Sequence, residues 1–172
     1  GTHEIASLEG PAVRYHHNGK VKESMHYKSG KLHGAFLEFN FLGDTICVGS
    51  YDMSIKKDVW RYWHDDKKLK ANHFYNINGK YPFQAQKEEW SEKGKLTLQF
   101  HFDENGIGKL KEWTEQGVLI HEQELINLKL DNGKETFWYP NGQIKSYMNH
   151  TKGADTTYQE WYESGREKTL KR

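Results

Sequence analysis

Residues 96–102 alternate in character. Leu96, Leu98, Phe100 and Phe102 are apolar, and Thr97, Gln99 and His101 between them are polar. A period of two marks a half-buried β-strand rather than a helix. Val21, Met25 and Tyr27 repeat the pattern near the start of the chain, with Glu23 as the exception. Between such runs stand clusters of turn formers, as in Tyr139-Pro140-Asn141-Gly142 and Phe102-Asp103-Glu104-Asn105-Gly106. Short alternating runs bounded by such clusters read as hairpins.

The hairpins recur at a fixed interval. An aromatic followed four residues later by glycine occurs at Tyr15/Gly19, Phe39/Gly43, Trp90/Gly94, Trp113/Gly117, Trp138/Gly142 and Trp161/Gly165. Trp63 keeps the aromatic but has Lys67 where the glycine would be. Successive anchors are 24, 24, 27, 23, 25 and 23 residues apart, the signature of a repeat architecture. Other columns agree. Five residues before each anchor stand Gly10, Gly34, Asp58, Ala85, Gly108, Gly133 and Thr156. Six after it stand Val21, Thr45, Leu69, Leu96, Leu119, Ile144 and Glu167, and twelve after it Tyr27, Tyr51, Tyr75, Phe102, Leu125 and His150.

Turn chemistry fixes the pairing. Pro140 suits the second residue of a type I turn, Asn141 follows, and Gly142 takes the left-handed bulge position. Each anchor then lies opposite the residue six later, on the same side of the sheet. Alternation assigns Leu96, Leu98, Phe100 and Phe102 to that anchor face and leaves the other face polar. The expected fold is all-β: an elongated antiparallel meander of about seven hairpin repeats in a single-layer, solenoid-like sheet. Up to fourteen strands at ~4.8 Å each would extend roughly 65 Å. A tail over 1–9 precedes repeats near 10–33, 34–57, 58–84, 85–107, 108–132, 133–155 and 156–172. Two stretches depart from the pattern. Pro82 argues for a loop or edge within Asn76 to Glu89. Val118 to Leu130 lacks turn signals, and its His121–Leu125 segment, which could pass for a short helix, is read as strand from its column.

Composition sharpens this picture. Of 172 residues, 35% are apolar and 28% charged, too few apolar groups for one thick core. Six Trp, ten Tyr and eight Phe concentrate the apolar surface in large rings and argue against disorder. The net charge of +1 is no nucleic-acid footprint, and it gives membrane association no support. No apolar run approaches the ~18 residues of a membrane helix. Cys47 is the sole cysteine, so neither an internal disulfide nor a multi-cysteine metal site can form. The chain opens at Gly1 without methionine. That reads as removal of an upstream segment, a signal peptide or a tag, and leaves the compartment open between cytoplasm and cell envelope.

Trp138-Tyr139-Pro140-Asn141-Gly142-Gln143-Ile144-Lys145 resembles the core of the MORN-repeat-variant family. Tyr27-Lys28-Ser29-Gly30-Lys31 followed by Gly34 resembles the second half of that repeat, and Gly108-Lys109-Leu110-Lys111-Glu112-Trp113 the first. The departures are Lys67, Asp58, Ala85 and Thr156. The resemblance implies a non-enzymatic, protein-binding repeat module without cofactors. Its specific expectation is a bacterial antitoxin or immunity protein facing a toxin. An envelope or membrane-associated scaffold, capable of self-association, and a glycan binder are the alternatives.

The residues suggest little chemistry. Ten histidines invite a metal, but His26 and His101 share a column three repeats apart, ~29 Å by strand spacing. His16 and His64 share another column two repeats apart, and adjacent His16 and His17 point to opposite faces. Cys47 sits between Ile46 and Val48, the setting of an inert thiol. Glu38, Glu89, Glu112 and Glu160 recur one residue before the anchors as a ladder rather than a convergent pair. Lys20, Lys31, Lys68, Lys80 and Lys95 form a solvated fringe around the turns. The suggestive feature is a set of aromatics assigned to the polar face: Trp60 and Tyr62 in the third repeat, and Phe137, Tyr139, Tyr147, Tyr158 and Tyr162 in the last two. Rings on a polar face mark interfaces, so these seven are the expected binding residues, while the anchors Trp63, Trp90, Trp113, Trp138 and Trp161 are expected to be structural.

Overall fold

The computed structural model describes residues 7–75, 84–103, 105–126, 133–151 and 154–168. All regular structure among them is strand, and the chain divides into two units, Gly1–Ala85 and Gln86–Arg172. The first contains β1 (Gly10–Tyr15), β2 (Val21–Lys28), β3 (Lys31–Leu32), β4 (Gly34–Phe39), β5 (Thr45–Asp52), β6 (Ile55–Trp63) and β7 (Leu69–Tyr75). The second contains β8 (Gln84–Trp90), which opens at the unit boundary, and β9 (Leu96–Phe102), β10 (Gly108–Trp113), β11 (Leu119–Leu125), β12 (Gly133–Trp138), β13 (Ile144–Thr151) and β14 (Ala154–Glu160). Within each unit the strands form an open antiparallel meander. Its order follows the sequence, apart from β3, a short strand beside β2. Residues 76–83 and 127–132, and with them Lys80 and Pro82, lie outside the described residues; His121–Leu125 is strand.

The turns follow the expected chemistry. Gly142 N–H donates to the Tyr139 carbonyl (2.9 Å) and Tyr139 N–H to that of Gln143 (2.8 Å), and Gly142 is left-handed at φ 84°. The same two bonds recur at all seven anchors. Lys67 adopts the left-handed conformation as well, at φ 68°, because the turn demands it whatever the side chain. Asp58, in the leading-glycine column, is left-handed at φ 57°.

The pairing columns also hold. Tyr15 faces Val21, Phe39 Thr45, Trp63 Leu69, Trp90 Leu96, Trp113 Leu119 and Trp138 Ile144. Gly10 faces Tyr27, Gly34 Tyr51, Asp58 Tyr75, Gly108 Leu125 and Gly133 His150.

The faces differ from the expectation. Immediately before each of these six anchors the register slips by one residue: Trp90 pairs with Leu96, but Glu89 pairs with Leu98, leaving Thr97 as an unpaired insertion. A one-residue bulge reverses the side-chain parity of everything beyond it. Leu98, Phe100 and Phe102 therefore share a face with Glu89, not with Trp90 and Leu96. In the first unit the row Arg14–Glu23–Glu38–Cys47–Tyr62–Ala71 runs strand to strand on this face. In the second the corresponding row is Glu89–Leu98–Glu112–His121–Phe137–Ser146–Glu160.

That face, assigned to solvent from the sequence, is the packed one. Every fully buried side chain among the described residues lies on it: Met25, Cys47, Trp60 and Ala71 in the first unit, Gln123 and Ser146 in the second. The anchors Trp63, Trp90, Trp113, Trp138 and Trp161 are only half-buried, and Tyr15 is exposed.

Candidate functional site

Trp60 and Tyr62 belong to the interior of the first unit. Trp60 is 2% exposed, which corrects its expected place on a solvent face. The cause is local. Ser50 pairs with Lys57 and Val48 with Arg61, so β6 bulges between them at left-handed Asp58. The bulge lays the Trp60 ring over Gly49. A Cβ there would meet ring atoms at 2.2 Å, so only glycine fits. Phe36 stacks on Trp60 (centroids 5.3 Å), Tyr51 meets it edge-on (4.9 Å), and Trp60 Nε1 donates to the Ser50 carbonyl (3.1 Å).

Lys56 projects into this cluster. Its Nζ lies 4.0 Å from the Trp60 ring centroid, 5.5 Å from that of Tyr75 and 5.8 Å from that of Tyr62, and donates to the Tyr62 hydroxyl (3.0 Å). Burial lowers its ammonium from the ordinary lysine range, while the ring quadrupoles favour the cation. Burial, and after it the Glu38 carboxylate, push the Cys47 thiol up to about 11. Burial also raises the Tyr62 phenol. These are groups held in their neutral or paired forms, a packing centre rather than an activated nucleophile.

The second unit divides the other five predicted residues. Phe137 stacks flat on His121 (4.2 Å, 2°). His121 Nε2 donates to Glu135 Oε1 (2.8 Å), and His150 Nε2 to Glu135 Oε2 (3.1 Å). Glu112 stands 3.4 Å from the other His121 nitrogen. Sequence reasoning missed this cross-strand carboxylate–imidazole ladder, because the parity reversal is what aligns its members. Tyr158 lies on the same face as Phe137, opposite Met148. Tyr147 pairs with Thr136, Phe137's neighbour, and so projects from the other face; the expected five-ring patch is split. Tyr139 donates its hydroxyl to the Trp161 carbonyl (3.0 Å). Tyr158 and Tyr162 are 39% and 45% exposed. Arg166 stands 4.9 Å and Lys168 5.1 Å from the Tyr162 ring, and Lys168 also pairs with Glu160.

Among the described residues no three His, Cys, Asp or Glu side chains are arranged to hold a metal ion, and no helix is long and apolar enough to cross a membrane.

Neighbouring turns are stitched together. His16 Nε2 donates to the Phe39 carbonyl (2.9 Å) and Asn18 Nδ2 to that of Phe41 (3.0 Å). Tyr139 and Asn141 make the same two bonds in the second unit, to the carbonyls of Trp161 and Glu163 (3.0 and 3.2 Å). Both sets belong to repeats with an Asn-Gly turn. The MORN repeat variant family matches these same repeats, at residues 8–29 and 131–152. Two of the chain's repeats match the MORN repeat variant family. A search of curated proteins gives no significant match. MORN repeats are in general non-catalytic modules that bind proteins or membranes, and the five other MORN-like hairpins of this chain share the turn bonds and positive φ of the two that match.

Proposed function

We propose that this protein is a non-catalytic, protein-binding MORN module whose contact surface lies in its last two repeats, centred on Tyr158 and Tyr162 and supported by Arg166. The observation that carries this reading is the exposure of both rings, while Trp90, Trp113, Phe137, Trp138 and Trp161 of the same unit are less exposed. Exposed tyrosine beside arginine is the composition of interface hot spots. Phe137 and Tyr139 shape the surface from beneath through their fixed contacts with His121 and Trp161. Tyr147 serves the opposite face, and Trp60 and Tyr62 maintain the first unit. The specific partner we propose is a bacterial toxin neutralised by this surface, on the strength of the family resemblance.

Co-purification from the native host with tagged wild-type protein and with the Tyr158→Ala/Tyr162→Ala variant tests both levels. One retained protein, lost at least tenfold in the variant at unchanged thermal stability, is the expected result. A partner without toxicity when expressed alone removes the toxin reading. Equal retention by both proteins removes the surface.

A further inference from the structure

The residue after each anchor helps decide how one repeat holds the next. Asn40, Ser91 and Thr114 close their own turns, where their side-chain oxygens accept from backbone N–H groups of the same turn. Two rings in this column reach further. His16 donates to the carbonyl of Phe39 and Tyr139 to that of Trp161, in each case the following anchor. The sixth repeat takes Trp161 at a second point, because the Lys145 carbonyl accepts from the Trp161 N–H (3.0 Å). Lys145 is the residue inserted by the bulge of β13, which leaves its carbonyl available to the next anchor. One backbone residue is thereby held by both its N–H and its carbonyl.

The seventh repeat carries the same two groups. Tyr162 stands where Tyr139 does, and Lys168 where Lys145 does. Trp161 pairs with Glu167 as Trp138 pairs with Ile144, and the Lys168 N–H donates to the Glu160 carbonyl (2.7 Å), so the turn and the start of its second strand are formed. Among the described residues neither the Tyr162 hydroxyl nor the Lys168 carbonyl has a hydrogen-bond partner. The mount of Tyr162 is rigid. Tyr139 and Asn141 hold the carbonyls on either side of it, those of Trp161 and Glu163, and Arg166 and Lys168 stand against its ring. A donor fixed in advance loses little freedom on binding. Ser164 takes the place of Asn141, and its shorter side chain leaves two of the sixth repeat's three contacts.

We propose that Tyr162 and Lys168 clamp one backbone residue of a partner protein's β-strand. The Tyr162 hydroxyl donates to the carbonyl of that residue, and the Lys168 carbonyl accepts from its N–H. The strand adds beside the seventh repeat as β14 adds beside β13, a mode in which main-chain bonds supply affinity and alternate side chains supply specificity. The clamped residue is not proline, which has no N–H. An aromatic suits it, as Phe39 and Trp161 receive the equivalent side-chain donors within the chain. The inference rests on the tyrosine surface proposed above and adds to it the chemistry of the partner.

A capped peptide of residues 154–163, the strand that the sixth repeat clamps at Trp161, is the probe. It is titrated into the full chain and followed by backbone amide chemical shifts. Wild type is expected to bind it, with the shifts concentrated over Tyr162–Lys168. Tyr162→Phe removes only a hydroxyl from the protein, and an ester in place of the Trp161 amide removes only an N–H from the peptide. Each is expected to weaken binding roughly fivefold, the worth of one neutral hydrogen bond, and circular dichroism verifies that the variant is folded. A peptide that does not bind at millimolar concentration overturns the proposal, as do shifts confined to other strands. Affinity unchanged by Tyr162→Phe or by the ester overturns it too. If the clamp fails in this way while the co-purified partner is still lost by Tyr158→Ala/Tyr162→Ala, the tyrosine surface stands without it. Equal retention of the partner by both proteins removes the surface, and with it the clamp as its mode of binding, whatever the peptide does.

Discussion

Replacing Gly49 with alanine adds one methyl group at the most crowded point of the first unit. The new Cβ would lie 2.2, 2.3 and 2.7 Å from Cδ2, Cε2 and Cε3 of Trp60. Strand β5 cannot retreat, because β4 and β6 hold it on both sides, so the ring must move. Moving it forfeits the contacts with Phe36 and Tyr51, worth ~0.5–1.5 kcal/mol each beyond burial, and the indole bond to Ser50, worth ~1 kcal/mol. With part of the ring's burial also lost, Gly49→Ala is expected to destabilise by about 3 kcal/mol. That is close to the ~3–5 kcal/mol expected for Trp60→Ala itself. In a Trp60→Ala background nothing opposes the methyl group. There the same change should be neutral or stabilising by ~0.5–1 kcal/mol, since glycine inside a strand carries that entropic cost relative to alanine. Urea unfolding of the four proteins, followed by far-ultraviolet circular dichroism, measures the cycle. An equal cost of Gly49→Ala in both backgrounds would falsify the steric argument.

Lys67→Gly should stabilise the third hairpin by roughly 0.5–1 kcal/mol, since a left-handed non-glycine residue costs ~1–2 kcal/mol and its ion pair with Asp44 (2.7 Å) is exposed and weak. Lys67→Ala loses the same pair but keeps the Cβ, so an alanine variant as stable as the glycine variant in thermal unfolding refutes the strain account. With its thiol raised from 9.0 to about 11, native Cys47 should react with a disulfide reagent at pH 8 far more slowly than the urea-unfolded chain. Its protonated form is favoured in the fold, so its contribution to stability is complete below pH 9 and is lost as pH rises from 9 to 11. Cys47→Ala should flatten that part of the stability profile, and an unchanged slope would dismiss the thiol as its source.

Much of the fold could be read from columns of residues, because each column is a physical position. The anchors and the residues six later are cross-strand partners, and so are the leading-glycine column and the residues twelve later. Pro140 and Gly142 located the turn because proline holds φ in one narrow range and glycine enters the left-handed region without the penalty of a Cβ. The faces were not legible in the same way. The inserted residue of each bulge is Lys22, Ile46, Lys70, Thr97, Ile120 or Lys145, three chemical types with no common requirement. An unpaired strand residue imposes no strong demand on its side chain, so it leaves no mark in composition. Glu23 was the visible clue. It breaks the supposed apolar run of the first repeat, and in the folded protein it pairs with Arg14 at 3.0 Å. Tyr147 was misplaced by the same parity error, whereas Trp60 and Tyr62 lie on the expected face, which proved to be the packed one, and Tyr158 and Tyr162 are exposed.

The meander also governs how the chain can find its structure. Its strand pairs span short stretches of sequence, such as Gly10 to Tyr27 or Gly34 to Tyr51, and in each unit nearly every strand pairs with its neighbours along the chain. Sandwiches and closed barrels are slow to form because distant strands must meet before any reward is gained. Here each hairpin can close from a loop of a few residues and then template the next. The densest packing, around Trp60, lies in the one repeat that lacks glycine at both left-handed positions. Growth should therefore start most readily from the glycine-bearing hairpins that precede it in the first unit and reach the third repeat late, when they can hold Asp58 and Lys67 in conformations they would not choose alone.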